Sequence, residues 1–291
     1  MSSTDIAQFW CSVVTANHVL DYFSLVTGYG HFSARNPLTN TTFFHNIVDT
    51  PGTITSSSNF IELNVYNGAP VASNSTSISP YSEMWIHQAI YKRYPSINAV
   101  VHSHSRAVLP FANTGVPLVP QLHLDGVLGD QVPVFDIAEY YRPNETHDFL
   151  VNLPHLGAAL ADTFSTPENN ATKKNSVPDY PVVLQRAHGL SAAAVSIEQA
   201  VFTAWSAQDA ANIATETLNV LSAYQGSAAR LTKFTEQELE GSMALGRIGY
   251  IKDWPWFVDQ PVGAVAVAHP DLWAAVRPEG NYLLINPSAF P

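Results

Sequence analysis

The chain has 291 residues, 46% hydrophobic and only 13% charged, and its 13 Lys and Arg against 24 Asp and Glu leave a formal net charge of −11. So low a charge content with an ordinary apolar content excludes disorder by self-repulsion and calls for a large buried core. The acidic balance also argues against nucleic acid and anionic membranes as partners, since both are met by clustered Lys and Arg and no basic cluster here exceeds Lys173-Lys174. No apolar run approaches the roughly 20 residues that cross a bilayer. The single cysteine, Cys11, has no internal disulfide partner, and the N-terminus lacks the pattern of a signal peptide, so a cytoplasmic protein is expected.

Mixed three- and four-residue steps among Phe9, Val13, Val14, Leu20, Phe23 and Leu25 predict an opening helix over 6–26, stopped by Gly28 and Gly30. Short β-like runs follow at 31–34, 41–46 and 60–66, parted by the turn signals Pro37, Pro51-Gly52 and Asn67-Gly68, so antiparallel strands are expected. After a polar loop at 73–79, a helix is predicted over 83–94 with Ile86, Ile90 and Tyr94 on one side, then an apolar strand over 99–102. Two short strands are expected between Leu109 and Pro133, and mostly helix from Asp136 to Phe164. A polar surface excursion at 165–180 leads to an apolar strand at 181–184. Ser196 with Gln199 forms a capping box for a long helix carrying Val201, Ala204, Trp205, Ala211, Leu218 and Leu221. A second helix is predicted over about 235–245, before an aromatic, proline-broken tail from Asp253.

The sharpest local feature is Val100-Val101-His102-Ser103-His104-Ser105, two histidines at i and i+2 on the end of an apolar strand. That spacing puts both imidazoles on one face, where they can share a divalent metal with open positions, or simply end a strand as two polar residues. A third histidine, His188, follows a second apolar strand and precedes Gly189, which permits close backbone approach.

These residues, with Ser82-Glu83, His87 and Tyr94-Pro95-Ser96-Ile97-Asn98-Ala99 ahead of them, resemble the class II aldolase/adducin family. The resemblance extends from Gly30-His31-Phe32-Ser33-Ala34-Arg35 through His188-Gly189-Leu190 to the helix with Glu198 and Ala200, about residues 5–225. It implies an α/β fold: a three-layer α/β/α domain with a mainly antiparallel central sheet flanked by helices, over 1–250. Residues 251–291 form an extension that packs on the same domain or on a neighbouring subunit. It further implies that His102, His104 and His188 ligate a divalent metal, zinc foremost with manganese or iron as alternatives, that Glu83 is the catalytic acid/base, and that the chain forms a homotetramer. A carboxylate beside a metal-chelated enediolate can move the proton, although Glu83 can equally be read as a ligand or an ion-pair partner.

Departures from the family pattern bear on the substrate. Sugar-phosphate aldolases resembling this chain bind phosphate with a Gly-Thr-X-Gly-Asn turn and a Ser-Ser-Glu helix start, where this sequence has Gly28, Tyr29, Gly30 and His31, then Tyr81, Ser82 and Glu83. Phosphate calls for dense donors or a cationic clamp. A small, non-phosphorylated and more apolar substrate is therefore expected, with Gly30, His31, Tyr81 and Ser82 around it. Asp125 falls near an acid of the family's epimerases, and Tyr250 near a tyrosine that reaches a neighbouring subunit's site. Gln121 and His123, on a strand-like 120–124 stretch, and Arg186, a carboxylate clamp or a salt bridge, complete the candidates; His87 reads as a satisfied helix histidine. The first reading is a metal-dependent lyase of aldolase type. Alternatives are a decarboxylase, dehydratase or oxidative decarboxylase of an aromatic or keto acid, and a non-catalytic interaction module.

Overall fold

The computed structural model describes residues 3–47, 50–71 and 80–268; the polar stretch at 73–79 and the end of the C-terminal extension lie outside the described residues. The chain begins with helix α1 (Ser3–Tyr22) and continues through strands β1 (His31–Arg35), β2 (Thr42–Asn46) and β3 (Phe60–Asn64). Helix α2 (Met84–Arg93), strand β4 (Ala99–Ser103) and helix α3 (Leu109–Thr114) follow. Next come β5 (Val134–Phe135), α4 (Pro154–Thr163), α5 (Pro167–Thr172), β6 (Val182–Gln185), β7 (Gly189–Ala194), α6 (Ile197–Gln225) and α7 (Glu236–Ala268).

The strands form one seven-stranded sheet in the order β3-β2-β1-β4-β7-β6-β5, antiparallel throughout except for the β5/β6 pair. Period-two alternation divides their side chains between two cores. Phe32, Ala34, Val101, Leu184, Leu190 and Ala192 join α1 and α6 on one face, whereas Phe43, Leu63, Val100, Val183 and Ala193 join α2 and α4 on the other. The expected three layers are thus present. His31, Ser33, His45 and His102 take the same parity as the second set and turn toward α2.

Two expectations require correction. The stretch 109–133 holds helix α3 and a 3-10 turn over Asp125–Leu128 in place of two strands. Between Asp136 and Phe164 only a 3-10 turn (Ile137–Glu139) and α4 are helical. Pro143 interrupts that segment, and Asn144 and Phe149 take positive φ, which breaks a right-handed helix; α4 starts only where Pro154 can occupy its first turn.

Helix α6 starts at the expected cap, the Ser196 hydroxyl accepting from the Gln199 amide. Helix α7 is capped by Thr235, whose amide and hydroxyl donate to Glu238 while the Glu238 amide donates back to Thr235. It then runs through Pro255 and Pro261, well beyond the expected end near 245. Burial supplies the reason: Phe257 is 1% exposed and packs edge-on to Phe23, Trp205 and Phe202, anchoring the segment on α1 and α6 of its own chain.

Candidate metal centre and its pocket

The end of β4, the turn before β7 and the start of α2 converge on a cluster of Glu83, His102, His104 and His188. His102 ends β4 with its side chain toward α2, and His104 continues past the strand end. His188 precedes β7, the strand hydrogen-bonded to β4. Gly189, with φ of +154°, lets this turn close on β4: a Cβ there would overlap the Ser103 carbonyl oxygen. Gly30, with φ of +85°, plays the matching part for β1, where a Cβ would lie 2.8 Å from the His102 carbonyl oxygen.

Imidazole centroids within the cluster are 4.9 Å (His102–His104), 4.8 Å (His102–His188) and 4.5 Å (His104–His188) apart. Glu83, the residue just before α2, holds Oε1 against the Val151 amide at 3.0 Å. Its Oε2 faces all three rings, 3.5 Å from His188 Nε2, 3.8 Å from His102 Nε2 and 4.0 Å from His104 Nε2. His102 is held from behind, its Nδ1 lying 3.1 Å from Gln185 Nε2 and 3.3 Å from Ser191 Oγ. Outer hydrogen bonds of this kind orient metal-binding imidazoles.

Burial, then mutual repulsion with His188 and neighbouring rings, drives the His102 pKa well below its ordinary value, and the same causes bring His104 to about 4. His102 and His104 are therefore uncharged at neutral pH, with lone pairs to offer. His102 Nε2 is buried without a hydrogen-bond partner. Three imidazoles and a carboxylate, one imidazole nitrogen among them unpartnered, are a donor set that a divalent transition-metal ion fits.

The cluster opens onto a pocket of about 540 Å³ lined by Gly28, Tyr29, Gly30 and His31 on one side and by Tyr81, Ser82, Glu83, His104 and Leu150 on the other. Tyr29 stacks on His104 (centroids 5.8 Å, interplanar angle 12°), and Tyr81 stacks on His31 (5.4 Å, 22°). Among the described residues that line it, none is Lys or Arg. Of the sequence candidates, Gly30, His31, Tyr81, Ser82 and Glu83 line the pocket with His104. Tyr29 and Leu150 were missed as site residues. In the sequence Tyr29 stands out only as a substitution in a turn, and Leu150 lies in a loop with no motif.

Other candidates sit elsewhere. Asp125 is buried at the start of the 3-10 turn, Oδ2 accepting from the amides of Gln121 and Leu122, and burial raises its pKa. The 120–124 stretch is a loop and not a strand, so Gln121 and His123 do not share a strand face: the Gln121 amide nitrogen donates to the carbonyls of Pro120 and Thr232, and His123 is exposed. Arg186 lies over the Phe149 ring and pairs with Asp136 at 2.6 Å, favouring the salt-bridge reading. Tyr250 packs against the α1/α6 core of its own chain.

Residues 11–215 match the family described as Class II Aldolase and Adducin N-terminal domain, and the chain belongs to that family. It is 36% identical over 251 residues to the decarboxylase tropJ of Talaromyces stipitatus, covering 85% of this chain and 90% of that protein. It is 30% identical over 132 residues to 3,4-dihydroxyphthalate decarboxylase of Arthrobacter keyseri, covering 45% of this chain and 46% of that one. Among solved structures, L-fuculose 1-phosphate aldolase of Glaciozyma antarctica superposes with a TM-score of 0.64 at 16% identity, over 94% of both chains, a likeness of fold.

Proposed function

We propose that this protein is a metal-dependent decarboxylase of an aromatic acid carrying a hydroxyl beside the carboxylate. The observation that carries this reading is the pocket itself: a three-histidine, one-glutamate cluster at the floor, tyrosines stacked on its histidine walls, and no cationic side chain to grip a phosphate. The names of two relatives, both decarboxylases and one of a dihydroxyphthalate, point the same way. They move the preference from the aldolase reading to its decarboxylase alternative.

His102, His104 and His188 would hold the ion, with zinc, manganese or iron all acceptable to imidazole and carboxylate donors. A bound divalent ion supplies Lewis-acid stabilisation of negative charge on neighbouring oxygens. The chain's own residues do the rest. Tyr29 and Tyr81 present flat apolar faces that orient a planar ring. Glu83, with Oε1 fixed by the Val151 amide and Oε2 free toward the pocket, takes the proton of the substrate hydroxyl. The bond between ring carbon and carboxylate breaks and carbon dioxide departs, its electron pair remaining on the ring carbon. Glu83 then returns the same proton to that carbon, leaving a phenolate, so atoms and charge balance without an oxidant. A site at a subunit boundary, completed by Tyr250 of a neighbouring copy in a tetramer, belongs to this proposal.

The test is a panel of ortho-hydroxybenzoates, including dihydroxyphthalates, given to metal-loaded protein without oxygen. Carbon dioxide release that is lost in Glu83→Gln while metal is retained supports the reading. Cleavage of a hydroxy-carbonyl sugar instead, or a requirement for oxygen, overturns it.

A further inference from the structure

A second histidine triad lies beside the first. His31 on β1, His45 on β2 and His87 on α2 are all buried, and one nitrogen of each lies within 4.8 Å of those of the other two. Their ring centroids are 4.9 Å (His31–His45), 4.6 Å (His45–His87) and 4.8 Å (His31–His87) apart, within 0.1 Å of the spacings in the His102 triad. Each triad contains one close nitrogen pair: His31 Nδ1 to His87 Nε2 at 2.7 Å, and His188 Nε2 to His104 Nε2 at 2.9 Å. A tetrahedral ion holds such nitrogens about 3.3 Å apart, a small adjustment in either case.

The remote nitrogens are supported as those of metal ligands are. His45 Nδ1–H donates to the Asn46 carbonyl at 2.8 Å, which commits its other nitrogen, Nε2, to an unprotonated lone pair in the neutral ring. That Nε2 has no hydrogen-bond partner, and neither has His31 Nε2, though both atoms are buried. His87 Nδ1 rests 2.6 Å from Ser33 Oγ, itself 2.9 Å from the Tyr91 hydroxyl. Leaving a buried acceptor unsatisfied is destabilising. One bound cation would take the His45 Nε2 lone pair together with His31 Nδ1 and His87 Nε2, one nitrogen from each ring.

We propose that His31, His45 and His87 form a second metal site, separate from the His102 centre, for an ion that favours imidazole, with zinc as its representative. Calcium and magnesium are excluded by the absence of any carboxylate from the triad. Tyr81 covers the site, its ring 5.4 Å from His31 and 5.7 Å from His45. His31 pairs in register with His102 across β1 and β4, so the two sites share a wall. Such an ion would tie α2 to β1 and β2.

The test is zinc stoichiometry on the full chain, stripped by chelator and then titrated with Zn²⁺. Wild-type protein is expected to saturate at two equivalents, His45→Gln at one and His104→Ala at one. His45→Gln retaining two equivalents, or wild-type protein saturating at one that His104→Ala removes, overturns the second site while leaving the first. The complementary result, one equivalent removed by His45→Gln and kept by His104→Ala, upholds the second site and defeats the first. Should His45→Gln fail to fold, Co²⁺ titration of the His104→Ala protein decides: visible absorption that grows to one equivalent upholds the site, and no such absorption overturns it.

Discussion

The two histidine triads have nearly the same ring spacing and lie on the same face of the same sheet, yet their surroundings differ. His102, His104 and His188 face the Glu83 carboxylate and open onto a pocket, whereas His31, His45 and His87 have no carboxylate among them and lie under Tyr81. Spacing makes a site able to bind; an acid and an opening make it able to react. On the proposed reading the first triad carries the chemistry and the second supports the elements that shape it.

The largest expected effect falls on the first triad. His104→Ala should lower turnover by about 10⁴-fold, because it loses a metal that supplies several kcal/mol of transition-state stabilisation, as a steady-state assay will read. Glu83→Gln should cost about 10³-fold while keeping both fold and metal, since it removes proton transfer alone. Loss of metal in that variant would make Glu83 a ligand. Altering the second triad in His87→Gln should leave Glu83 chemistry largely in place, and a loss equal to that of Glu83→Gln would end the distinction between the triads.

Acid should affect both triads in metal-free protein. Burial lowers His45 and His104 to about 4, below the 6.5 of the unfolded chain. The unfolded state therefore takes up protons first as pH falls. Stability from these groups is full above pH 6.5 and falls between 6.5 and 4, by about 1.4 kcal/mol per unit for each histidine. Urea midpoints at pH 7 and pH 5 will show this; a midpoint that rises on acidification contradicts it. The smallest effect is expected at Tyr81→Ala, where losing a stacking contact of about 1 kcal/mol should raise KM some 5-fold for an aromatic substrate with little change in kcat.

The sheet was legible because its strands carry period-two apolar runs between clear turn signals, as at β1, β2 and β4. The 109–133 and 136–164 segments were not, since their apolar residues serve loops held by local, aperiodic hydrogen bonds, the Gln121 and Leu122 amides donating to Asp125 and the Phe149 amide to the Tyr141 hydroxyl. Helix α7 extends well past its expected end near 245 and through Pro255, which argues against helix locally, while burial of Phe257 decides the matter in three dimensions. At the site, His102 and His104 are readable from i, i+2 spacing, but their union with His188 and Glu83 depended on resemblance. The second triad was hidden for a simpler reason. His31, His45 and His87 are far apart in the chain, and only the β1/β2 register with the α2 stripe of Glu83, His87 and Tyr91 joins them.

Anomalous scattering at the zinc edge from crystals of zinc-saturated wild-type protein tests the central claim most directly. A peak ringed by His102, His104 and His188 with Glu83 Oε2 alongside is the predicted result. A map with no peak among those four residues would contradict it.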